Sequence, residues 1–126
     1  MMDYVINARL QLEAILKTLD TKIDQARVDF YDCGEGKDIR LFLPRWYTQI
    51  QYDEFMNGLD FNYRYDIGGE PLYAYIILSS NKYLITHEYD GSTEYRLYEP
   101  FMGLFTNPAG RDICVSHCDY KVKVYE

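Results

Sequence analysis

The chain contains no run of about 18 apolar residues, so no stretch is long and apolar enough to form a membrane-spanning helix. Cysteine is scarce. Cys33, Cys114 and Cys118 form an odd set without the spacing of a disulfide framework, which suits a reducing compartment. Positive charge is also in short supply: 13 Lys and Arg stand against 20 Asp and Glu, for a formal charge of −7. That balance repels phosphates and anionic head groups, so direct binding to nucleic acid or to a membrane is not expected. The opening MMDYVINARLQLEAILK has an acid at Asp3 and no basic region ahead of a continuous apolar run, which is not the pattern of a secretory signal. The expected location is cytoplasmic. Finally, Gly34-Glu35-Gly36 lacks the further glycine or lysine of a phosphate cradle, and Asp32, Glu35 and Asp38 around it would repel phosphate.

What the chain does have is aromatic rings. Fourteen Tyr, six Phe and one Trp make up 17% of its 126 residues. Tyrosine favours strands and carries a polar tip, so this content predicts a sheet with many half-exposed positions, and exposed Tyr is common on recognition surfaces. Hydrophobic residues at 48% and charged residues at 26% are ordinary for one folded domain spanning residues 1–126.

A helical period runs from residue 3 to about 26, where Val5, Leu12, Leu16, Leu19, Ile23 and Ala26 can share one stripe. Asp20-Thr21 offers caps for a second helix, so the segment is one long helix or a broken one. Residues 28 to 43 read as a hairpin with Gly34 and Gly36 in its loop, and Pro44 ends the second strand. Trp46 and Phe55 are expected in the core. Tyr52 to Asn57 reads as a short helix closed by a left-handed Gly58.

Residues 61 to 99 read as an antiparallel meander with breaks at Gly68-Gly69, Ser80-Asn81-Lys82 and Asp90-Gly91. A three-residue loop at Asp90-Gly91 would place Ala74, Ile76, Leu78, Tyr83, Ile85, Tyr95 and Leu97 on the buried face. Tyr73, Tyr75, Ile77, Leu84, Thr86, Glu88, Glu94, Arg96 and Tyr98 would occupy the other. The stretch 101 to 112 reads as a loop, and 113 to 126 supplies one or two closing strands. The expected architecture is therefore α+β, an N-terminal helix packed on an antiparallel meander sheet of five to seven strands.

The meander segment LDFNYRYDIGGEPLYAYIILSSNKYLITHEYDGSTEYRLYEP resembles one that recurs in small uncharacterised bacteriophage proteins. The shared positions are Leu59 to Phe61, Gly68-Gly69, Leu72, Ile76, Glu88 to Ser92 and Tyr95 to Tyr98. The chain departs from that pattern with Glu70 in place of an amide, and with tyrosine in place of tryptophan around positions 83 and 95. The resemblance covers about a third of the chain, and it implies a phage accessory protein. That class includes many inhibitors of bacterial defence systems, the anti-CRISPR proteins among them.

No catalytic signature is present. Cys114, His117 and Cys118 are the only clustered metal-type ligands, and strand alternation would point His117 away from the two thiols, so neither metal nor cofactor is expected. Paired carboxylates such as Asp53-Glu54 and Asp29-Asp32 are inevitable among 20 acids. The expected role is binding without catalysis. In the leading reading, the partner is a host defence protein whose basic, nucleic-acid-binding surface is masked. Asp24, Asp29, Asp32, Glu35 and Asp38 would replace phosphates, Asp53 and Glu54 would add a second acidic cluster, and Tyr73, Tyr75 and Tyr98 would pack in place of bases. An alternative is a nucleotide-binding or sponge protein with Tyr73, Tyr75, Tyr98 and Arg96 lining a pocket or a dimer seam. A third reading is self-association through Phe101, Leu104 and Phe105. Monomer and homodimer both remain open.

Overall fold

The computed structural model describes residues 4–32, 37–66, 69–89, 92–101, 104–105 and 110–125. Strand β1 (Val5–Asn7) leads directly into helix α1 (Ala8–Leu19). The hairpin of β2 (Ile23–Asp32) and β3 (Lys37–Leu43) follows, then helix α2 (Gln49–Gly58) and the short β4 (Asn62–Arg64). The meander is β5 (Leu72–Leu78), β6 (Tyr83–Tyr89) and β7 (Ser92–Tyr98), without the strand expected at 61 to 65, since β4 pairs with β1 instead. Two-residue strands β8 (Pro100–Phe101) and β9 (Leu104–Phe105) precede the closing pair, β10 (Arg111–Val115) and β11 (Val122–Val124). Seven strands form one antiparallel sheet in the order β11-β10-β7-β6-β5-β2-β3, while β1 pairs with β4 and β8 with β9. The fold is α+β, with the N-terminal helix on the sheet as the sequence predicts.

Helix α1 is shorter than the periodic stripe. Asn7 caps its start by accepting the Leu10 N–H at 3.0 Å. At its end Asp20 enters the left-handed conformation (φ 50°, ψ 54°) and returns its N–H to the carbonyls of Leu16 and Lys17. Ile23 and Ala26, placed on the helical stripe by the sequence, belong to β2. Their three-residue spacing, which imitates a helix, is a β-bulge: Ile23 pairs with Leu78 while Gln25 pairs with Ile77. From Ala26 onward the alternation is that of a strand, with Ala26, Val28 and Phe30 facing inward.

The inner face of the sheet carries the core. Leu72, Ala74, Ile76 and Leu78 of β5 meet Ala26, Val28 and Phe30, and Leu12, Ile15 and Leu16 of α1 belong to the same buried cluster. Helix α2 opens on a capping box in which Thr48 and Gln51 satisfy each other's backbone N–H groups. It buries Phe55 and Met56 and packs on β3. Gly58 does not adopt the left-handed turn expected of it, since the helix closes at Leu59 with φ −81°. A Cβ there would press on the tip of the Leu41 side chain, which would have to shift. Phe55 is buried as expected, but Trp46 is not.

The meander register also departs from the sequence reading. Tyr89 pairs with Ser92 across a two-residue loop at 90–91, whose own conformation lies outside the described residues. Leu84 therefore pairs with Leu97, and Thr86 with Tyr95, on the inner face. Tyr83 and Ile85 turn outward instead of inward, while Leu84 is fully buried. The error has a physical cause: YLIT offers an apolar side chain on each face, so hydrophobic alternation does not select between registers one residue apart.

Two buried tyrosines make a contrast that can be measured. The Tyr63 hydroxyl donates to Gln11 Oε1 at 2.6 Å, whereas the Tyr95 hydroxyl is fully buried with no hydrogen-bond partner among the described residues. Burial holds the Tyr95 phenol well above the ordinary tyrosine range, so it carries an unsatisfied polar group, never a charge. Tyr95→Phe is expected to raise stability by about 1 kcal/mol, and Tyr63→Phe to lower it by about 1–3 kcal/mol by orphaning the Gln11 amide. Urea midpoints at unchanged m-value would check both.

Candidate functional site

The outer face of the sheet follows from the register, because paired residues share a side. One row runs Phe42, Arg27, Tyr75, Ile85, Arg96, Asp112 across six strands. Beside it lie Arg40, Asp29 and Tyr73, then Asp38 and Tyr31. On the other flank Gln25, Ile77, Tyr83 and Tyr98 line up. Rings touch along this face: Tyr31 meets Tyr73 edge-on at 6.2 Å between centroids, and Tyr75 lies 6.3 Å from Tyr83. Over the β3-β2-β5 half no described element covers them. Phe42 is 61% exposed, Tyr75 49% and Tyr73 46%.

Just past the end of β3 stands Trp46, 86% exposed in the connection to α2. Its φ is +58°, a left-handed conformation that a bulky L-residue adopts only under strain. The Arg45 guanidinium lies over the indole at 5.3 Å, and Ile50 is exposed on the first turn of α2. Trp46→Gly is expected to raise stability by about 0.5–1 kcal/mol, the strain relieved less the backbone entropy of glycine, as read from the urea midpoint.

The structure separates the acidic residues that the sequence places in one cluster. Asp24 sits at the β-bulge in an ion pair with Arg45 at 3.4 Å. Asp29 pairs with Arg27 at 3.1 Å; its side chain is only 17% exposed, and its Oδ1 is buried without a hydrogen bond. Asp38 is exposed on the outer face opposite Tyr31. Glu35 and the side chain of Asp32 lie outside the described residues. Asp53, which accepts from Gln49 Nε2 at 2.8 Å, and Glu54 are exposed on α2. That helix packs through Gly58 on the inward Leu41, so neither shares the layer of Tyr73 and Tyr75. The expected row of phosphate substitutes is thus interrupted by arginines.

Tyr73 and Tyr75 lie together on the outer face as expected, while Tyr98 is half-buried two strands away. Gly110, at φ +75°, approaches so closely that a Cβ would sit 2.9 Å from the Tyr98 ring. Tyr73, Tyr75, Tyr98 and Arg96 therefore spread over an open face and line neither of the two clefts described. Arg96 is engaged by Asp112 at 2.8 Å and Glu94 at 3.6 Å. The side chains of Phe101, Leu104 and Phe105 lie outside the described residues.

Cys114 and Cys118 are exposed, and His117 Nδ1 shares a 3.1 Å hydrogen bond with the Tyr65 hydroxyl. Burial, assisted by Glu94, pushes the Cys114 thiol above its usual value, the wrong direction for a thiolate nucleophile. Among the described residues no three His, Cys, Asp or Glu side chains are grouped to hold a metal ion.

Sequence reasoning missed Phe42, Arg27, Arg45 and Trp46. The signal for Trp46 was its place between the strand-ending Pro44 and the helix-capping Thr48, since connections run over the surface. No family model matches this chain, and comparison with curated proteins and with solved structures finds no significant match.

Proposed function

We propose that this chain is a non-catalytic inhibitor of the phage anti-defence kind, docking on a host defence protein through the β3-β2-β5 half of its outer sheet face. The observation that carries the reading is the grouping of Phe42, Tyr73 and Tyr75, all strongly exposed, around Arg27 on one face, with Trp46 exposed just past the end of β3. Trp, Tyr and Arg are the side chains that dominate binding energies at protein interfaces. The acids act at a distance in this scheme. A net charge of −7 draws the chain toward a basic, nucleic-acid-binding surface, and the aromatic face then holds it. Added salt should accordingly slow association several-fold and leave dissociation nearly unchanged in surface plasmon resonance against the purified partner.

The test is affinity capture from infected or CRISPR-bearing host lysate, comparing the unaltered chain with Tyr73→Ala/Tyr75→Ala and with Asp29→Lys/Asp38→Lys. Loss of the captured protein with the tyrosine variant supports the reading. Equal capture by the unaltered chain and the tyrosine variant overturns it. Loss confined to the charge-reversed variant would return the contact to the acidic hairpin.

A further inference from the structure

A second region, lined by none of Phe42, Tyr73, Tyr75 or Trp46, has the shape and chemistry of a ligand site. Where the end of α1, the start of β2 and the start of α2 converge, a cleft of about 810 Å³ opens, a size typical of small-molecule sites. One wall is the ring pair Tyr47 and Tyr52, stacked with centroids 5.6 Å apart and planes 26° from parallel. Tyr47 is held in place by its hydroxyl, which donates to the Ile23 carbonyl at 2.6 Å.

The opposite wall is polar. Lys17 and Lys22 both line the cleft, and neither ammonium has a carboxylate within ion-pair distance among the described residues. Most other described bases are paired: Arg9 with Glu13, Arg27 with Asp29, Arg45 with Asp24, Arg64 with Asp66 and Arg111 with Glu99. The lining acids are Glu13, which pairs with Arg9, and Asp20. Nearby lies a group of hydroxyls: Thr21 Oγ1 is 3.3 Å from Ser79 Oγ and 3.1 Å from Ser80 Oγ, and the Lys22 N–H donates to Ser79 Oγ at 3.3 Å.

We propose that this cleft binds a nucleoside monophosphate, with its base on the Tyr47–Tyr52 wall and its phosphate between Lys17 and Lys22. Both parts of the ligand find their complement there. A planar ring stacks on an aromatic wall whatever its substituents. A phosphate takes charge-assisted hydrogen bonds from two ammonium groups and from the hydroxyls of Thr21 and Ser79. Burial, with nearby Asp24 at Tyr47 and Glu13 at Tyr52, raises both phenols above their ordinary value, so the rings themselves stay neutral. Asp20 and Gln49 at the rim can accept from ribose hydroxyls or an exocyclic amine. The cleft shares no lining residue with Phe42, Tyr73, Tyr75 or Trp46, so variants of the two sites test the two readings separately.

The experiment is thermal unfolding and calorimetric titration with adenosine 5′-monophosphate, with adenosine and inorganic phosphate as separate arms. The monophosphate is expected to raise Tm and to bind with a Kd between micromolar and millimolar, suiting an open cleft. Lys17→Gln and Lys22→Gln, both exposed and structurally silent, should each weaken binding about tenfold. Tyr52→Leu should remove the stacking contribution while keeping the hydrophobic packing. The proposal is overturned if the monophosphate leaves Tm unmoved at millimolar concentration. It is equally overturned if the Lys17→Gln/Lys22→Gln chain binds as tightly as the unaltered one, or if inorganic phosphate alone gives the same shift.

Discussion

Replacing Leu84 by alanine is expected to destabilise the fold by about 2–5 kcal/mol, while the same change at Ile85 costs about 1 kcal/mol or less. The two residues are neighbours of nearly equal volume, so the difference isolates the face of the sheet on which each lies. Leu84 is fully buried between Ile76 and Leu97, and truncation there opens a cavity the surrounding strands cannot collapse to fill. Ile85 lies outward between Tyr75 and Arg96 and is partly solvated. Chemical denaturation of the two variants is sufficient. Equal losses, or a larger loss at Ile85, would mean that β6 is shifted by one residue against β7, and the assignment of the outer face would go with it.

The second large effect is on binding. Trp46→Ala and Tyr75→Ala should each weaken capture of the partner by about 30-fold or more, corresponding to about 2 kcal/mol or more at an interface centre. Both side chains are largely solvated in the free chain, so the folded state loses little by their removal. Trp46→Gly sharpens the point, because it is expected to be more stable than the unaltered chain and still defective in binding. A residue that strains the free fold yet supports the complex is what a binding site retains at the expense of stability. Equal affinity of Trp46→Gly and the unaltered chain would remove Trp46 from the surface. Analytical ultracentrifugation of the same variants would show whether a second copy of the chain is the occupant.

The pattern of residues along the chain carried much of this structure. A helix within residues 3 to 26, a hairpin before Pro44, a short helix around Phe55 and antiparallel strands between Leu72 and Tyr98 all follow from local period and turn chemistry. The pairing of Tyr73 with Tyr75 on one face follows from alternation alone. Those features are legible because each depends on residues within a few positions of one another. The acidic character of the chain was equally plain, and so was its wealth of half-exposed tyrosine.

Other features needed partners distant in sequence. Whether Ile23 ends a helix or begins a strand depended on β5, whose pairing with a bulge at Ile23/Gln25 gives a strand a helical spacing. Which face Leu84 takes depended on the register against β7, since a one-residue slip exchanges every side chain and YLIT tolerates either choice. Acids that look free in the sequence are tied to arginines, Asp24 to Arg45 from beyond the hairpin and Asp29 to Arg27 along its own strand. Trp46 reads as core by its size, but the turn between Pro44 and Thr48 holds it outside. The cleft gathers Lys17, Lys22, Tyr52 and Ser79, which no motif links. The sequence by itself therefore determined the elements, the charge and the aromatic content. The tertiary structure decided register, exposure and pairing, because those depend on contacts between segments far apart along the chain, and local pattern carries no information about them.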